Sequence, residues 1–516
     1  PDIGVLGEGE DTIIEILEKN RWPHVPNGDY ISAWCPFCRK LDARGDSILS
    51  FNIDLGTNWG ECGVCHNNVK LDEWLEALEK SNPNQVKESP KKRRPNKQTS
   101  EDGAKLEQKI EECRRIKEEI IPKLKPLSKE VLIETLGLTI KHDEQNKLST
   151  FLCQLSAYTK DSQLNLSYNA PSSTGKSFIP MEIAKLFPKE DIIELAYCSP
   201  TAFFHDGIYD EERDAFVKDY SRKIIIFLDQ PHPEVLARLR PLLSHDQKEI
   251  ISKITEASRL KTRTIILIGY PAVVFCTAGL HINEQEATRF LLLSPETSQE
   301  KIRESIIATI KKESDNDNYQ SWLNGHPGRN LLKERILAIK YEKIQDIKIA
   351  SPEKIEERFL KEKKALKPKN QRDIKRVIAL VKCFALLNLW WRERKGPTVI
   401  ADDDDIDSAF ELWSTLSPGQ ELDLPPFIYD MYQEVILPAW REKNDSSEFE
   451  TRGQGQGLSR NEIVKKHWAV YNRSLSIYQL SAEILPMLER AGLIVQEKDP
   501  GDLRQKLVYP FSNIVS

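Results

Sequence analysis

Residues 165–177 have the pattern of a short apolar strand that runs into a phosphate-binding loop. Their sequence is Asn-Leu-Ser-Tyr-Asn-Ala-Pro-Ser-Ser-Thr-Gly-Lys-Ser. Triphosphate binding needs backbone N–H groups around the β-phosphate, a lysine that reaches the β- and γ-phosphates, and a hydroxyl on Mg²⁺ at a helix N-terminus. The residues that we expect to cradle the nucleotide are Pro171, Ser172, Ser173, Thr174, Gly175, Lys176 and Ser177.

The loop departs from the usual pattern at its first position. Ala170 stands where a glycine is expected, so the opening turn must avoid positive φ there or accept strain. A Gly-Lys-Ser tripeptide alone is also found in ordinary loops before helices, so the interpretation needs a second feature.

That second feature is Lys223–Asp229, Lys-Ile-Ile-Ile-Phe-Leu-Asp. A continuous apolar run of this length predicts a strand buried on both faces of a parallel sheet. The carboxylate of Asp229 at its end can hold Mg²⁺ opposite Ser177. Gln230 follows where NTPases of this class employ a glutamate, and an amide positions water but cannot accept its proton. Either the native chain hydrolyses slowly, or Gln230 is an engineered change that traps ATP; we favour the second interpretation.

The composition predicts a chain of several domains. Its 516 residues carry a net charge of −6, which neither indicates nor excludes nucleic acid. The chain has no run of eighteen apolar residues and no basic-then-apolar start, so we expect a soluble, cytoplasmic protein without a membrane partner.

Two pairs of cysteines predict a zinc site. Cys35 and Cys38 form one Cys-x-x-Cys knuckle, and Cys62 and Cys65 form another. Four thiolates at this spacing close a tetrahedral Zn²⁺ site. The alternative is a pair of redox or disulfide knuckles, but thioredoxin-type motifs occur singly and at a helix start.

A predicted hairpin follows the magnesium-site strand. A helix over 233–243 precedes two β-prone segments, 249–256 and 261–268, which flank a short polar turn. We expect its cations to hold the backbone of single-stranded DNA, although solvated charges on an outer face are the alternative. These candidate DNA-binding residues are Lys253, Arg259, Lys261 and Arg263.

Two further residues complete the predicted catalytic set. Another buried strand, 273–278, carries Thr277, which could sense the γ-phosphate and place the lytic water. Arg289 lies beyond that strand and is suited to reach the ATP of a neighbouring subunit, where an arginine stabilises the charge of phosphoryl transfer. Amphipathic helices over 371–387 and 404–413 predict a lid.

The order of these motifs resembles the AAA+ motors of the MCM replicative helicases and their mobile-element relatives over residues 130–416. The resemblance implies that Lys176, Asp229, Gln230 and Thr277 act in catalysis with Arg289 as the arginine finger. It also implies Arg372 as the second sensor, with Arg376 as a substitute. The departures from the family pattern are Ala170, Gln230 and Thr277.

The first seventy residues resemble the zinc ribbon of bacterial-type primases, with Cys38 where those proteins commonly have histidine. The resemblance implies contact with single-stranded DNA, and the candidate stacking residues are Trp34, Phe37, Phe51 and Trp59. The alternative is that these rings form a small core, which we favour for Phe37 and Phe51. At the other end, helices over 460–471 and 476–491 and strands 493–497 and 504–509 predict a winged helix that binds DNA or protein.

Together these observations predict an α/β multidomain protein with a zinc ribbon, an AAA+ P-loop parallel-sheet motor with a helical lid, and a C-terminal winged helix. The expected domains are a zinc ribbon over 1–81, a basic linker over 82–104, an AAA+ core with helical lead-in over 105–300, a helical insertion and lid over 301–420, a connector over 421–457 and a winged helix over 458–516.

The predicted activity is that of an ATP-dependent, mobile-element-type replicative DNA helicase. It would use ATP, Mg²⁺ and Zn²⁺, form a homo-hexamer, and act on single-stranded and forked DNA beside a separate primase or polymerase. Two alternatives stay open: a nucleotide-switched DNA-binding or loader protein, and a primase accessory subunit without unwinding activity.

Overall fold

The structure is a computed structural model. It describes residues 111–200, 207–256, 261–277, 289–342, 344–361, 363, 366–444 and 456–511, with short pieces before them at 17, 24–27, 30–33, 35, 51–54, 59–62, 68–70, 73–75 and 77. The chain divides into two compact units, Pro1–Glu119 and Ile120–Ser516. The predicted linker over 82–104 lies outside the described residues.

The first unit contains an antiparallel sheet of five strands in sequential order. The strands are β1 (His24–Asn27), β2 (Tyr30–Ala33), β3 (Phe51–Asp54), β4 (Trp59–Cys62) and β5 (Asn68–Lys70). Phe51 is fully buried and its ring stacks on Trp74 at 5.3 Å. Phe51 therefore belongs to the core, as we favoured.

The second unit is built around a parallel sheet of five strands. Its strands and those of the adjoining hairpins are β6 (Asn165–Asn169), β7 (Ile192–Leu195), β8 (Ile208–Asp210), β9 (Ala215–Asp219), β10 (Ile224–Phe227), β11 (Glu249–Glu256), β12 (Lys261–Ile268), β13 (Ala272–Thr277) and β14 (Leu291–Leu293). The order across the parallel sheet is β14-β6-β13-β10-β7. Strand β13, which carries the predicted sensor Thr277, therefore lies between β6, which leads into the predicted phosphate loop, and β10, which precedes the predicted magnesium ligand Asp229.

Helices cover both faces of this sheet, which confirms the α/β class. They are α1 (Lys129–Gly137), α2 (Glu144–Ser156), α3 (Phe178–Ala184), α4 (Pro233–Leu243), α5 (Gln299–Ser314), α6 (Asn316–Gly325), α7 (Pro327–Tyr341), α8 (Pro352–Lys361), α9 (Asn370–Leu387) and α10 (Asp403–Glu421). Leu166 and Val274 face α2, α3 and α9, whereas Ile225 and Phe275 face α4. No helix in the described parts of the chain is long and apolar enough to cross a bilayer.

The predicted hairpin is confirmed, because β11 pairs antiparallel with β12 from Glu249–Ile268 to Glu256–Lys261. It belongs to a sheet of four strands in the order β11-β12-β9-β8. The β8–β9 hairpin was not predicted, because its three-residue first strand carries too little periodicity to distinguish it from a loop.

The lid region also contains a small sheet that the sequence did not predict. Its strands are β15 (Asp346–Ile349), β16 (Glu393–Lys395) and β17 (Thr398–Ala401). Strand β15 pairs parallel with β17, although α8 and α9 lie between these two strands in the sequence. The lid helices were predicted correctly, and α10 begins with a capping box in which the Asp402 side chain accepts from Asp405 N.

The C-terminal region follows as a helical connector, two helical segments and a hairpin. Its elements are α11 (Pro426–Met431), a π-helical stretch (Tyr432–Ile436), α12 (Leu437–Asn444), α13 (Arg460–Tyr471), α14 (Ile477–Gln479), a second π-helical stretch (Leu480–Ile484), α15 (Leu485–Arg490), β18 (Ile494–Lys498) and β19 (Lys506–Pro510). Ile428, Val435, Ile484 and Val508 share one core, so the connector and the C-terminal elements pack together.

Gly269 offers a test of the turn that joins β12 to β13. Its φ is +86°, and a Cβ built on it would lie 2.2 Å from Ser221 Oγ and 2.4 Å from Ser221 N. Gly269→Ala therefore combines a left-handed backbone cost of about 1–2 kcal/mol with an overpacking cost of about 1–3 kcal/mol. We expect a clear fall in the thermal unfolding midpoint, measured by calorimetry.

Gly396→Ala is the matched control for this substitution. Gly396 has a φ of +62°, but a Cβ there would meet nothing within 4 Å. It should lose only the backbone part, about 1–2 kcal/mol. Equal losses for the two variants would contradict the close approach at Ser221.

Candidate nucleotide-binding site

The phosphate-binding loop connects β6 to α3 with the expected backbone. Gly175 has a φ of +90° with open space around its Cα, and Ser173 has a φ of +65°. Ala170 is absent from the residues with positive φ, so the opening turn avoids the strain that alanine would incur there. Ser177 precedes the first residue of α3, and Phe178 N donates to Gly175 O at 3.1 Å. The loop therefore ends at a helix N-terminus, as anion binding requires.

Strand β13 anchors both ends of this loop. Ala170 N donates to Thr277 O at 3.3 Å, and Cys276 Sγ donates to Lys176 O at 3.3 Å. Burial raises the pKa of the Cys276 thiol to about 12; Lys176 lowers it and Asp229 raises it. The charges of Lys176 and Asp229 thus both affect the Cys276 thiol, which lies between the predicted phosphate loop and the predicted magnesium ligand.

The strand register aligns a row of polar residues at the carboxyl edge of the sheet. Asn169 is paired with Thr277, and Phe227 with Phe275, which brings Asp229 level with Thr277. Leu293 is paired with Tyr168, which brings Ser294 level with Asn169. We call Ser294, Asn169, Thr277 and Asp229 the polar row. In open α/β sheets, ligands bind at this edge.

Gln230 and Thr277 are in direct contact. Thr277 Oγ1 donates to Gln230 Oε1 at 3.1 Å, and Gln230 N donates to Asp229 Oδ1 at 2.8 Å. The predicted sensor and the residue at the glutamate position therefore lie together beside the magnesium candidate. The carboxylate of Asp229 is exposed, as a metal ligand from the open edge of the sheet must be.

Asn169 and Ser294 are site residues that the sequence analysis missed. Asn169 is fully buried; its Oδ1 accepts from Ser167 Oγ at 2.7 Å, and its Nδ2 has no hydrogen-bond partner among the described residues. Ser294 Oγ donates to Asn169 O at 2.7 Å and accepts from Phe427 N at 3.2 Å. Only the polar character of Asn169 in an apolar strand could have signalled it.

The three predicted arginines have different environments. Arg289 Nε donates to Ser244 Oγ at 2.8 Å at the end of α4. Arg372 is exposed in the first turn of α9. Arg376 is largely buried, pairs with Asp373 at 2.9 Å and donates to Phe290 O at 3.0 Å. Burial lowers the pKa of Arg376, and Asp373 opposes that effect. Arg376 therefore joins α9 to the start of β14, which makes it a poor substitute sensor.

The candidate DNA-binding cations are only partly within the described residues. Lys253 is exposed on β11. The guanidinium of Arg263 lies 5.1 Å from the centre of the Phe216 ring and is half-buried. Arg259 and the side chain of Lys261 lie outside the described residues.

Strands β2 and β4, which lead into the two Cys-x-x-Cys motifs, end at the same edge of the first unit's sheet. Register aligns Ala33 with Phe51 and Phe51 with Cys62, so β2 and β4 end side by side. Cys35, two residues beyond β2, is buried. Cys38, Cys65 and the side chain of Cys62 lie outside the described residues, as do Trp34 and Phe37. The two knuckles therefore begin at the same edge, which suits a four-thiolate Zn²⁺ site.

A further cluster of metal-binding side chains lies beside α5. His142, Glu300 and Glu304 offer ligand atoms within 4.8 Å of one another. His142 Nε2 lies 3.5 Å from Glu304 Oε2, and both glutamates are exposed. Exposed acidic groups are common without a metal ion, so this cluster alone assigns no metal site.

Comparison with known proteins leaves the family of the chain open. No protein-family model matches the sequence, and no curated protein shows significant similarity to it.

Asp430 provides a test of the electrostatics beside the phosphate loop. The side chain of Asp430 is exposed at the cleft, but the elements around it reduce the hydration of its carboxyl and raise its pKa to about 6, and Glu434 adds to the shift. A folded-state pKa above the unfolded value of 3.8 means that the folded chain binds this proton more tightly. The unfolding free energy therefore falls as the pH rises from about 4 to about 6 and stays lower above that range.

We expect Asp430→Asn to raise the unfolding free energy at pH 7.5 by up to about 1 kcal/mol, because water screens the charge of an exposed carboxyl. The difference should nearly vanish at about pH 3, below the unfolded pKa of 3.8, where both states are largely protonated. Denaturant titrations at the two pH values measure the effect, with exposed Asp317→Asn as the control. A gain of the same size at both pH values would contradict a charge effect.

Proposed function

We propose that this chain is an ATP-driven DNA helicase of the MCM-like, mobile-element type. The observation that carries the proposal is the polar row beside the phosphate loop, with the sensor strand β13 between β6 and β10. One edge of the sheet thereby brings together the predicted phosphate loop, the Asp229 carboxylate and the Thr277 hydroxyl, to which the proposal assigns phosphate binding, metal binding and the positioning of water. Phosphoryl transfer requires all three.

In this proposal each residue has a defined role. Lys176 and the backbone N–H groups of the loop hold the phosphates, while Ser177 and Asp229 supply oxygen ligands of the kind that Mg²⁺ prefers. Mg²⁺, when bound, neutralises charge on the β- and γ-phosphate oxygens. Thr277 and Gln230 orient the attacking water through their shared hydrogen bond.

The proposed working form is a homo-hexameric ring. Arg289, held by Ser244 at the end of α4, would reach the nucleotide of the adjacent subunit and stabilise the transition state there. The β11–β12 hairpin would project into the pore and hold single-stranded DNA through Lys253, Arg259, Lys261 and Arg263. Hydrolysis would then depend on assembly, and unwinding on the hairpin.

The flanking domains would recruit or orient forked DNA. The common edge of the two cysteine knuckles supports a Zn²⁺ ribbon. The succession of α13, α14–α15 and the β18–β19 hairpin supports a winged helix that binds DNA or protein. A separate primase or polymerase would act beside this helicase.

The second candidate function is that of a nucleotide-switched DNA-binding or loader protein. The observation that favours it is Gln230, because the amide in contact with Thr277 cannot accept a proton from water. Such a protein would change shape with ATP but would not unwind DNA.

The Gln230→Glu substitution tests whether the residue at position 230 limits the rate of ATP hydrolysis. We expect the substitution to raise the ATPase rate by about 10²–10⁴-fold, the usual contribution of a general base. Steady-state phosphate release in Mg²⁺ and single-stranded DNA measures it. Gln230→Glu combined with Lys176→Ala is the control and should remain inactive. An unchanged rate in Gln230→Glu would show that this position does not limit hydrolysis.

Strand displacement distinguishes the two candidate functions. The Gln230→Glu chain should unwind a forked duplex in ATP, and the same chain with Lys253→Ala should hydrolyse ATP but unwind more slowly. A fluorescent forked substrate reports displacement. Hydrolysis without displacement would exclude helicase activity and support the switch.

The metal content tests the ribbon. We expect one Zn²⁺ per purified chain, and its loss in Cys35→Ser, because a tetrahedral site needs all four thiolates. Elemental analysis by mass spectrometry provides the count, with Cys113→Ser, outside the knuckles, as the control. Undiminished zinc in Cys35→Ser would contradict the four-cysteine site.

A further inference from the structure

The phosphate loop opens onto a large cleft within the second unit. The cleft has a volume of about 1490 Å³, and its lining includes Thr139, Thr174, Gly175, Ile306, Phe427 and Arg473. Small-molecule sites usually occupy about 300–1,000 Å³. The cleft therefore has room for a nucleotide and is bounded on its far side by the C-terminal elements.

A fixed loop after α13 forms part of that far side. Asn472 ends the helix with a φ of 50°, and its N donates to Trp468 O at 2.8 Å. His467 Nδ1 donates to Arg473 O at 3.0 Å, and Leu475 is buried. The backbone on both sides of Arg473 is thus held, while its side chain is exposed.

Arg473 differs from the lysines that line the cleft, because each of those lysines contacts a backbone carbonyl or a carboxylate. Lys141 Nζ donates to Gly137 O at 2.9 Å, and Lys301 pairs with Asp143 and donates to Glu296 O at 2.7 Å. Lys312 lies 3.8 Å from Glu313. Among the described residues that line the cleft, Arg473 is the only arginine, and its guanidinium has no hydrogen bond or ion pair to another described residue.

Side-chain hydrogen bonds connect the phosphate-loop side of the cleft to its C-terminal side. Ser294 Oγ joins the end of β6, through Asn169 O, to the start of α11, through Phe427 N. Tyr471 OH donates to Glu434 Oε2 at 2.8 Å, which connects the end of α13 to the connector. The chain segment that carries Arg473 is therefore connected to the end of β6 through the connector.

We propose that Arg473 binds the phosphate groups of a nucleoside triphosphate held by the loop of the same chain. A guanidinium matches phosphate oxygens with two parallel hydrogen bonds, and the opposite charges make those bonds stronger than neutral ones. The C-terminal elements would thereby contribute directly to nucleotide affinity. The inference rests on the proposed ATP binding and adds a contact in cis, distinct from the contact of Arg289 in trans.

The test compares Arg473→Ala and Arg473→Lys with Arg490→Ala, an exposed arginine of the same domain that does not line the cleft. Calorimetry measures the affinities for Mg²⁺–ATP and for adenosine at a concentration where light scattering shows monomers. We expect Arg473→Ala to weaken ATP binding by about ten- to a hundredfold, the range for a charged hydrogen-bonding partner. Adenosine affinity should not change, and Arg473→Lys should recover part of the loss.

Each outcome separates this inference from the proposed function. If the unaltered chain binds ATP, Lys176→Ala abolishes binding and Arg473→Ala binds normally, the inference is wrong and ATP binding stands. Equal losses for ATP and adenosine would overturn the phosphate contact. A loss seen only in assembled chains would overturn the contact in cis. An unaltered chain that binds no ATP would overturn the proposed function together with the inference.

Discussion

The parallel pairing of β6, β13 and β10 is the constraint on which the candidate site depends. Parallel strands end at one edge, and their register decides which side chains stand level there. Asn169 opposite Thr277 and Phe227 opposite Phe275 are enough to align the polar row. A slip of one residue in β13 would move Thr277 to the other face and separate it from Gln230.

The same strand register places the apolar residues of β10 and β13 in the core and the polar residues at the strand ends in the candidate site. Ile225, Val273 and Phe275 pack on α4 from the face that also carries Thr277, and the ring of Phe290 meets Phe275 edge-on at 4.7 Å. Apolar burial along the strands thus fixes the position of polar groups at their ends. Ser294 extends this order to α11 through its two hydrogen bonds. The carboxyl end of β6 and the start of α11 are therefore joined through one side chain.

Local composition was enough to predict the phosphate loop, the strand before Asp229 and the hairpin, because each depends on a short run of residues. The polar row was not predicted as a unit, since Asn169 and Ser294 acquire meaning only through strand order. Phe427 reaches Ser294 across 133 residues, a contact that no periodicity indicates. The burial of Arg376 was missed for the same reason: an amphipathic pattern marks a face of α9 but not its partner.

Electron microscopy of the chain with ATP, Mg²⁺ and single-stranded DNA tests the central claim most directly. The account predicts closed rings with nucleotide between the phosphate loop and the polar row, Arg289 of each subunit directed at the neighbouring nucleotide, and DNA density in the pore against the β11–β12 hairpin. Single chains that bind DNA outside any ring, with no nucleotide at the carboxyl edge of the parallel sheet, would contradict it.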